Sequence, residues 1–223
     1  IKVRGEFQQM ENAIETITGS KSKMDQLMAE WKDLTLRSPF RLSEIGQAGK
    51  QLLAYGIDVN KVTHDIEMLG NVAAGVSAPI GDIAYVYGTL KTQGRAYTRD
   101  ILQFTMRGIP IMGELAKVMG VSTSEMKALI EAGKVGFPEV EKAMNALTSE
   151  GGKFNNLIGK QATTLTGAVN RLKHEFELML NEIGSNNEAA LSGGISYLSH
   201  LVENYKAVSK SILELVATYG LYK

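Results

Sequence analysis

The groups from which this 223-residue chain could build a reaction are three histidines, 24 acidic residues and no cysteine. Without cysteine there is no thiolate nucleophile, disulfide or thiolate-held metal. His64, His174 and His200 do not fall in His-x-x-x-His or Glu-x-x-His spacings, which would set two ligands on one helix face. They read as solvated surface histidines. Glycan cleavage needs a pair of carboxyl groups across a cleft. Glutamates are plentiful, but Glu139/Glu141 and Glu175/Glu177 fall on solvated helix faces. No Gly-x-Ser-x-Gly elbow is present. Gly88-Thr89-Leu90-Lys91 lacks the strand that precedes a phosphate loop, and Gly151-Gly152-Lys153 reads as a helix stop. The expectation is no catalytic residue, no cofactor, no metal and no small-molecule substrate.

One spacing points to nucleic acid. Ala116, Gly120 and Met126 have the small–Gly–apolar pattern of a helix-turn-helix, with Gly120 in the turn. The helix over 123–132 would then enter a major groove. It carries Glu125, Lys127 and Glu131, a net negative set facing phosphates. A packed helical hairpin is the better reading, and a DNA-binding or regulatory module is the alternative function class. Lys+Arg equals Asp+Glu at 24 each, so no basic excess draws the chain to nucleic acid or an anionic membrane. No apolar run approaches the length of a membrane span.

These residues sit on helices. Phe7, Met10, Ile14 and Ile17 form one stripe, stopped by Gly19. Ser20 caps a second helix with Met24, Leu27, Met28, Trp31 and Leu34 on its face, and Ser38-Pro39 breaks it. Ser43, Asp58, Pro79, Thr98 and Pro110 open a series of short helices, with Gly56, Gly70, Gly94, Gly108 and Gly120 at or near their ends. Leu52, Leu53, Val62, Ile66, Leu69, Ile83, Val86, Leu90, Ile101, Leu102 and Phe104 lie inside them. Ser122 and Glu125 form a capping box, and Pro138 suits a first helical turn. No sustained alternation marks a sheet; at most Val135-Gly136-Phe137 makes a β bridge. Of 23 glycines, 15 fall between Gly46 and Gly152. Because Gly ends helices better than it continues them, this contrast predicts a compact centre of short helices between longer ones.

Leu165, Val169, Leu172, Phe176, Met179 and Ile183 then follow at steps of 4, 3, 4, 3 and 4, a heptad seam. Gly184-Ser185-Asn186-Asn187 punctuates it. A second seam runs through Leu191, Ile195, Leu198, Val202, Tyr205, Ser209, Ile212, Val216 and Tyr219. The seams could pair with each other, with the N-terminal helices or with another chain. The expectation is a homo-oligomer associating through Leu191, Ile195, Leu198, Val202, Tyr205, Ile212 and Val216, with a folded-back hairpin as the competing arrangement. The whole is all-α: a helical arm over 1–37, a compact multi-helix domain of Gly-capped helices over 38–152, a long amphipathic helix over 153–184 and a C-terminal helix over 185–223. Both chain ends read as cuts in a longer protein.

The central run resembles the conserved domain of phage and prophage tail tape measure proteins. The residues that carry the likeness include Ser38-Pro39-Phe40, Gln51-Leu52-Leu53-Ala54-Tyr55-Gly56, Leu69-Gly70-Asn71-Val72, Gly108-Ile109-Pro110-Ile111, Gly120-Val121-Ser122, Gly133-Lys134-Val135-Gly136-Phe137 and Thr164-Leu165-Thr166-Gly167. Each is short; their order and spacing between about residues 35 and 183 are specific. The resemblance implies a non-enzymatic virion tail component, made in the host bacterial cytoplasm. As part of a long chain it sets tail length, lies in the tail lumen while tube subunits polymerise around it, and leaves at DNA ejection. It implies tail tube protein and tail assembly chaperones as partners. The family offers no catalytic residue to carry over. Residues 1–34 and 185–223 share only helical periodicity with it.

Overall fold

The computed structural model describes residues 2–186. The described residues form eleven helices and no strand: α1 (Lys2–Thr18), α2 (Lys21–Leu36), α3 (Leu42–Ala54), α4 (Val62–Val76), α5 (Ile80–Gln93), α6 (Thr98–Met106), α7 (Ile111–Met119), α8 (Thr123–Glu131), α9 (Phe137–Thr148), α10 (Leu157–Ala162) and α11 (Leu165–Asn186). The fold is all-α, as the 3/4-spaced stripes require. A single antiparallel bridge, Arg95 to Gly136, ties the start of α9 to the loop after α5.

Local chemistry explains most boundaries. The Ser20 hydroxyl accepts from the Lys23 amide and starts α2. Ser122 and Glu125 satisfy each other's backbone amides at the start of α8. Three openings differ from expectation. Helix α3 starts at Leu42 rather than at Ser43, with the Glu44 carboxylate accepting from the Arg41 amide. Asp58 shapes the turn before α4, accepting from the Asn60 amide, and Thr98 is the first residue of α6, whose cap is Tyr97. Gly70 is interior to α4, which continues to Val76. That helix tolerates glycine because another helix lies against it: Asn71 Oδ1 accepts from the Ile158 amide at 3.1 Å, and Gln161 donates to the Ala74 carbonyl at 2.8 Å, clamping α10 onto α4.

One buried apolar cluster runs from Phe7 on α1 to Ile158 on α10, crossing positions 37/38 without a break. Trp31, Tyr87 and Phe104 are the largest of its fully buried side chains. Trp31 lies directly on Gly49 of α3 and donates to the Thr63 hydroxyl at 3.2 Å. Two stripe assignments are corrected: Ile17 and Leu102, expected inside, are 42% and 49% exposed. Ile17 falls in the last turn of α1, and Leu102 on the outer side of a nine-residue helix whose inner side is Asp100, Ile101 and Phe104.

Helix α11 runs beside α1. The Arg4 guanidinium donates to Asn181 Oδ1 at 3.4 Å, and Arg4 lies against Gly184, while Glu177 lines one groove with Glu6 and Met10. The two helices are therefore antiparallel, and residues 2 and 186 lie at the same end of the pair.

Candidate functional site

Asp65 on α4 is 1% exposed. Its Oδ2 accepts from the Tyr87 hydroxyl at 3.4 Å; Oδ1 has no hydrogen-bond partner. Burial, with Glu141 nearby, pushes its carboxyl up to about 6. Burial and the same two carboxylates push the Tyr87 hydroxyl well above the ordinary tyrosine range. A cavity of about 350 Å³ opens beside Asp65, lined also by Asp58, Lys61, Lys91, Phe137 and Glu141. Lys61 reaches Glu141 at 3.7 Å, and Lys91 lies over the Phe137 ring at 5.1 Å. Of these acids, Glu141 is paired with Lys61, and Asp65 is held by the Tyr87 hydroxyl. The arrangement is a polar joint between α4, α5 and α9. Asp65 was open to discovery from sequence: it shares the Val62, Ile66, Leu69 stripe, where an acid stands out.

The histidines divide. His64 is exposed, with Nε2 3.0 Å from Asn145 Oδ1, so it joins α4 to α9 at the surface. His174 is a correction: expected in solvent, it is fully buried on α11, with neither ring nitrogen hydrogen-bonded. Burial lowers its pKa, opposed by Glu175 and assisted by Lys32. His200 lies outside the described residues. Among the described residues no group of three or more His, Cys, Asp or Glu side chains could hold a metal ion. No described helix is long and apolar enough to cross a membrane.

The helix-turn-helix spacing does fold as a hairpin. Gly120 takes a left-handed turn, φ 67°, between α7 and α8. Met126 and Ile130 are buried, packing α8 back into the domain. The outward face of α8 offers Thr123, Lys127, Ala128 and Glu131, with no net positive charge for phosphates.

The most distinctive surface is on α11. Its inward side is Gly167, Asn170, His174, Leu178, Asn181 and Gly184. Asn170 donates to the Pro39 carbonyl at 3.1 Å. The opposite side is the heptad seam: Leu165 is 81% exposed, Leu172 52%, Val169 44% and Met179 39%, with Phe176 and Ile183 half-buried. Small and polar residues dock this helix, and its apolar row faces out. The expected association residues Leu191, Ile195, Leu198, Val202, Tyr205, Ile212 and Val216 lie outside the described residues.

A family model described as tape measure protein matches residues 1–185. No curated protein and no solved structure matches the chain.

Proposed function

The chain belongs to the tape measure protein family, a structural family of phage tails, and from that premise we propose that residues 2–186 are a folded node on the ruler rather than the ruler itself. The carrying observation is helix length. The longest described helix, α11, has 22 residues and so spans about 33 Å at ~1.5 Å per residue. The other described helices are shorter and fold onto one core. In this reading the full-length protein sets tail length through extended segments elsewhere, and tube subunits polymerise around it. The node meets tail tube protein and assembly chaperones, is made in the host cytoplasm, and is carried in the virion until DNA ejection. It does this without catalysis. The described acids are paired with cations or solvated, and Asp65 is locked under Tyr87.

The test is an in-frame deletion of residues 38–152 in the phage, with tail length measured by electron microscopy. If those residues formed ruler helix, tails would shorten by about 170 Å at ~1.5 Å per residue. The expected result is fewer completed tails, with those that form close to normal length. Shortening in proportion to the deletion would sink the reading. Incubation of the purified chain with peptidoglycan is expected to release no glycan fragments; steady release would assign it an enzymatic role.

A further inference from the structure

Helix α6 turns apolar side chains outward. Met106 is 84% exposed and Leu102 49%, while Asp100, Ile101 and Phe104 are buried. A single exposed apolar residue is ordinary. Here Arg99, Leu102 and Met106 follow at steps of 3 and 4, so they share one helix face. That face begins beside a stacked group. The Arg95 guanidinium lies over the Tyr97 ring, 4.3 Å from its centre, and the Arg99 guanidinium approaches the same ring at 5.4 Å.

The backbone holds this group in place. Arg95 pairs with Gly136 in the antiparallel bridge, and the Ala96 amide donates to the Val135 carbonyl at 2.8 Å. The Tyr97 amide donates to the Asp100 carboxylate at 3.3 Å. Gly133 leaves room for the Arg95 guanidinium, since a Cβ there would lie 3.0 Å from it. The cations are nonetheless open to a partner. Arg95 is exposed, and no described carboxylate is paired with it. Arg99 reaches Asp100 through Nε at 3.5 Å, yet its side chain stays 76% exposed. Residues 91–107 hold the cations Lys91, Arg95, Arg99 and Arg107 against the one acid Asp100, in a chain balanced at 24 charges of each sign.

We propose that the outer face of α6 is a docking surface for an acidic segment of another protein, whose carboxylate meets Arg95 and Arg99 beside Tyr97 and whose apolar side chain covers Leu102 and Met106. Charge complementarity selects the partner. Arginine, aromatic and methionine side chains are the types enriched where proteins meet. A guanidinium offers paired N–H donors that fit a carboxylate in two parallel bonds. Held over a ring, it loses less freedom on binding than a free arginine does. Duplex DNA fits less well. Its binding draws strength from several neutralised phosphates, and two stacked arginines followed by leucine and methionine do not supply them. Arg99 and Met106 are seven residues apart, about 10 Å along the helix. An extended partner at ~3.3 Å per residue therefore carries its acid about three residues from its apolar side chain.

A random library of short peptides is selected on the full 223-residue chain and counter-selected on the triple variant Arg95→Ala, Arg99→Ala, Met106→Ser. The expected survivors carry Asp or Glu about three residues from a large apolar residue. A labelled survivor is expected to bind the triple variant at least about ten-fold more weakly in fluorescence anisotropy. Arg95→Lys with Arg99→Lys keeps the charge but loses the planar fork, and is expected to bind between the two. Survivors without an acid, equal binding to parent and triple variant, or no enriched peptide would each overturn the proposal. Displacement of the peptide by duplex DNA, reversed by raising salt, would assign the guanidiniums to phosphate and overturn it as well. All three replaced side chains are exposed, so the triple variant is expected to keep the parent's circular dichroism. Should it melt early, Met106→Glu sets a repelling charge on the same face without touching the stack and is expected to abolish the binding. Unchanged binding to Met106→Glu would overturn the proposal.

Discussion

Asp65 and His174 are buried groups whose ionisation opposes the fold in opposite pH ranges. The folded pKa of Asp65 is raised from the ordinary 3.8 to about 6. Its contribution to stability is therefore fullest below about 4 and is lost as the pH rises through 6. Asp65→Asn is expected to be more stable than the parent at pH 7.5, with the gap closing toward pH 4.5 in urea titrations. A gap independent of pH would show that the carboxyl is not titrating there. His174 has a lowered pKa, so its neutral form suits the fold, and stability is lost as the pH falls below the ordinary 6.5. His174→Leu also removes two unpartnered ring nitrogens. It is expected to be more stable than the parent at pH 7, with the advantage growing toward pH 5.5. A shrinking advantage would place His174 in a polar setting. The anomaly of Asp65 was legible, since it interrupts an apolar stripe. The burial of His174 was not, because a histidine on the polar side of an amphipathic helix is buried only when a neighbour covers that side.

At the scale of elements, local chemistry was readable and contact partners were not. Ser20, Ser122 with Glu125, Pro138 and the left-handed Gly56, Gly94, Gly108 and Gly120 act within one turn, and a turn is what a short stretch of sequence encodes. Gly70 misled because a glycine inside a helix looks like a stop until the helix packed against it is known. Gly49 shows the same physics more sharply: a Cβ there would sit 2.3 Å from the Trp31 ring. Gly49→Ala must push α2 from α3 and is expected to cost about 1 to 3 kcal/mol. Phe104→Ala, at a fully buried site, is expected to cost about 3 to 5 kcal/mol. Ser122→Ala loses only an exposed cap, at about 1 kcal/mol. Urea midpoints should fall furthest for Phe104→Ala, less for Gly49→Ala and least for Ser122→Ala; a Ser122 effect equal to that of Phe104 would mean that the α7–α8 hairpin, not the central cluster, holds the fold. The seam of α11 was also legible as a row of residues. Its outward direction was not, since periodicity identifies the apolar side of a helix without saying which side a neighbour takes. Glycine and asparagine let the other side approach α1 and the Pro39 carbonyl closely enough to hydrogen-bond.

For the whole molecule, charge balance is the property that separates the structural reading from the DNA-binding alternative. With 24 cations against 24 anions and no positive face on α8, the chain is expected to show no binding to duplex DNA at 50 or 200 mM salt in fluorescence anisotropy. Binding at low salt that falls steeply as salt rises would mean several phosphate contacts and would revive the alternative. The membership was readable from short motifs in order, because turns and caps recur wherever the same short helices must be joined. The sharing of one core by α1, α2 and the centre was not, because it depends on long-range packing.

Residues 2 and 186 lie at the same end of the antiparallel α1–α11 pair, and this has a mechanical consequence. Tension that enters at one and leaves at the other does not shear the helices along their length. It peels them apart from Arg4 and Gly184 inward, rupturing one turn of contacts at a time. The folded domain then adds almost nothing to the distance between those two points while it is closed. Once opened, its 185 residues could extend to about 600 Å at ~3.3 Å per residue. Under such a pull the domain would open from the end at which residues 2 and 186 lie, and would lengthen only once it had opened.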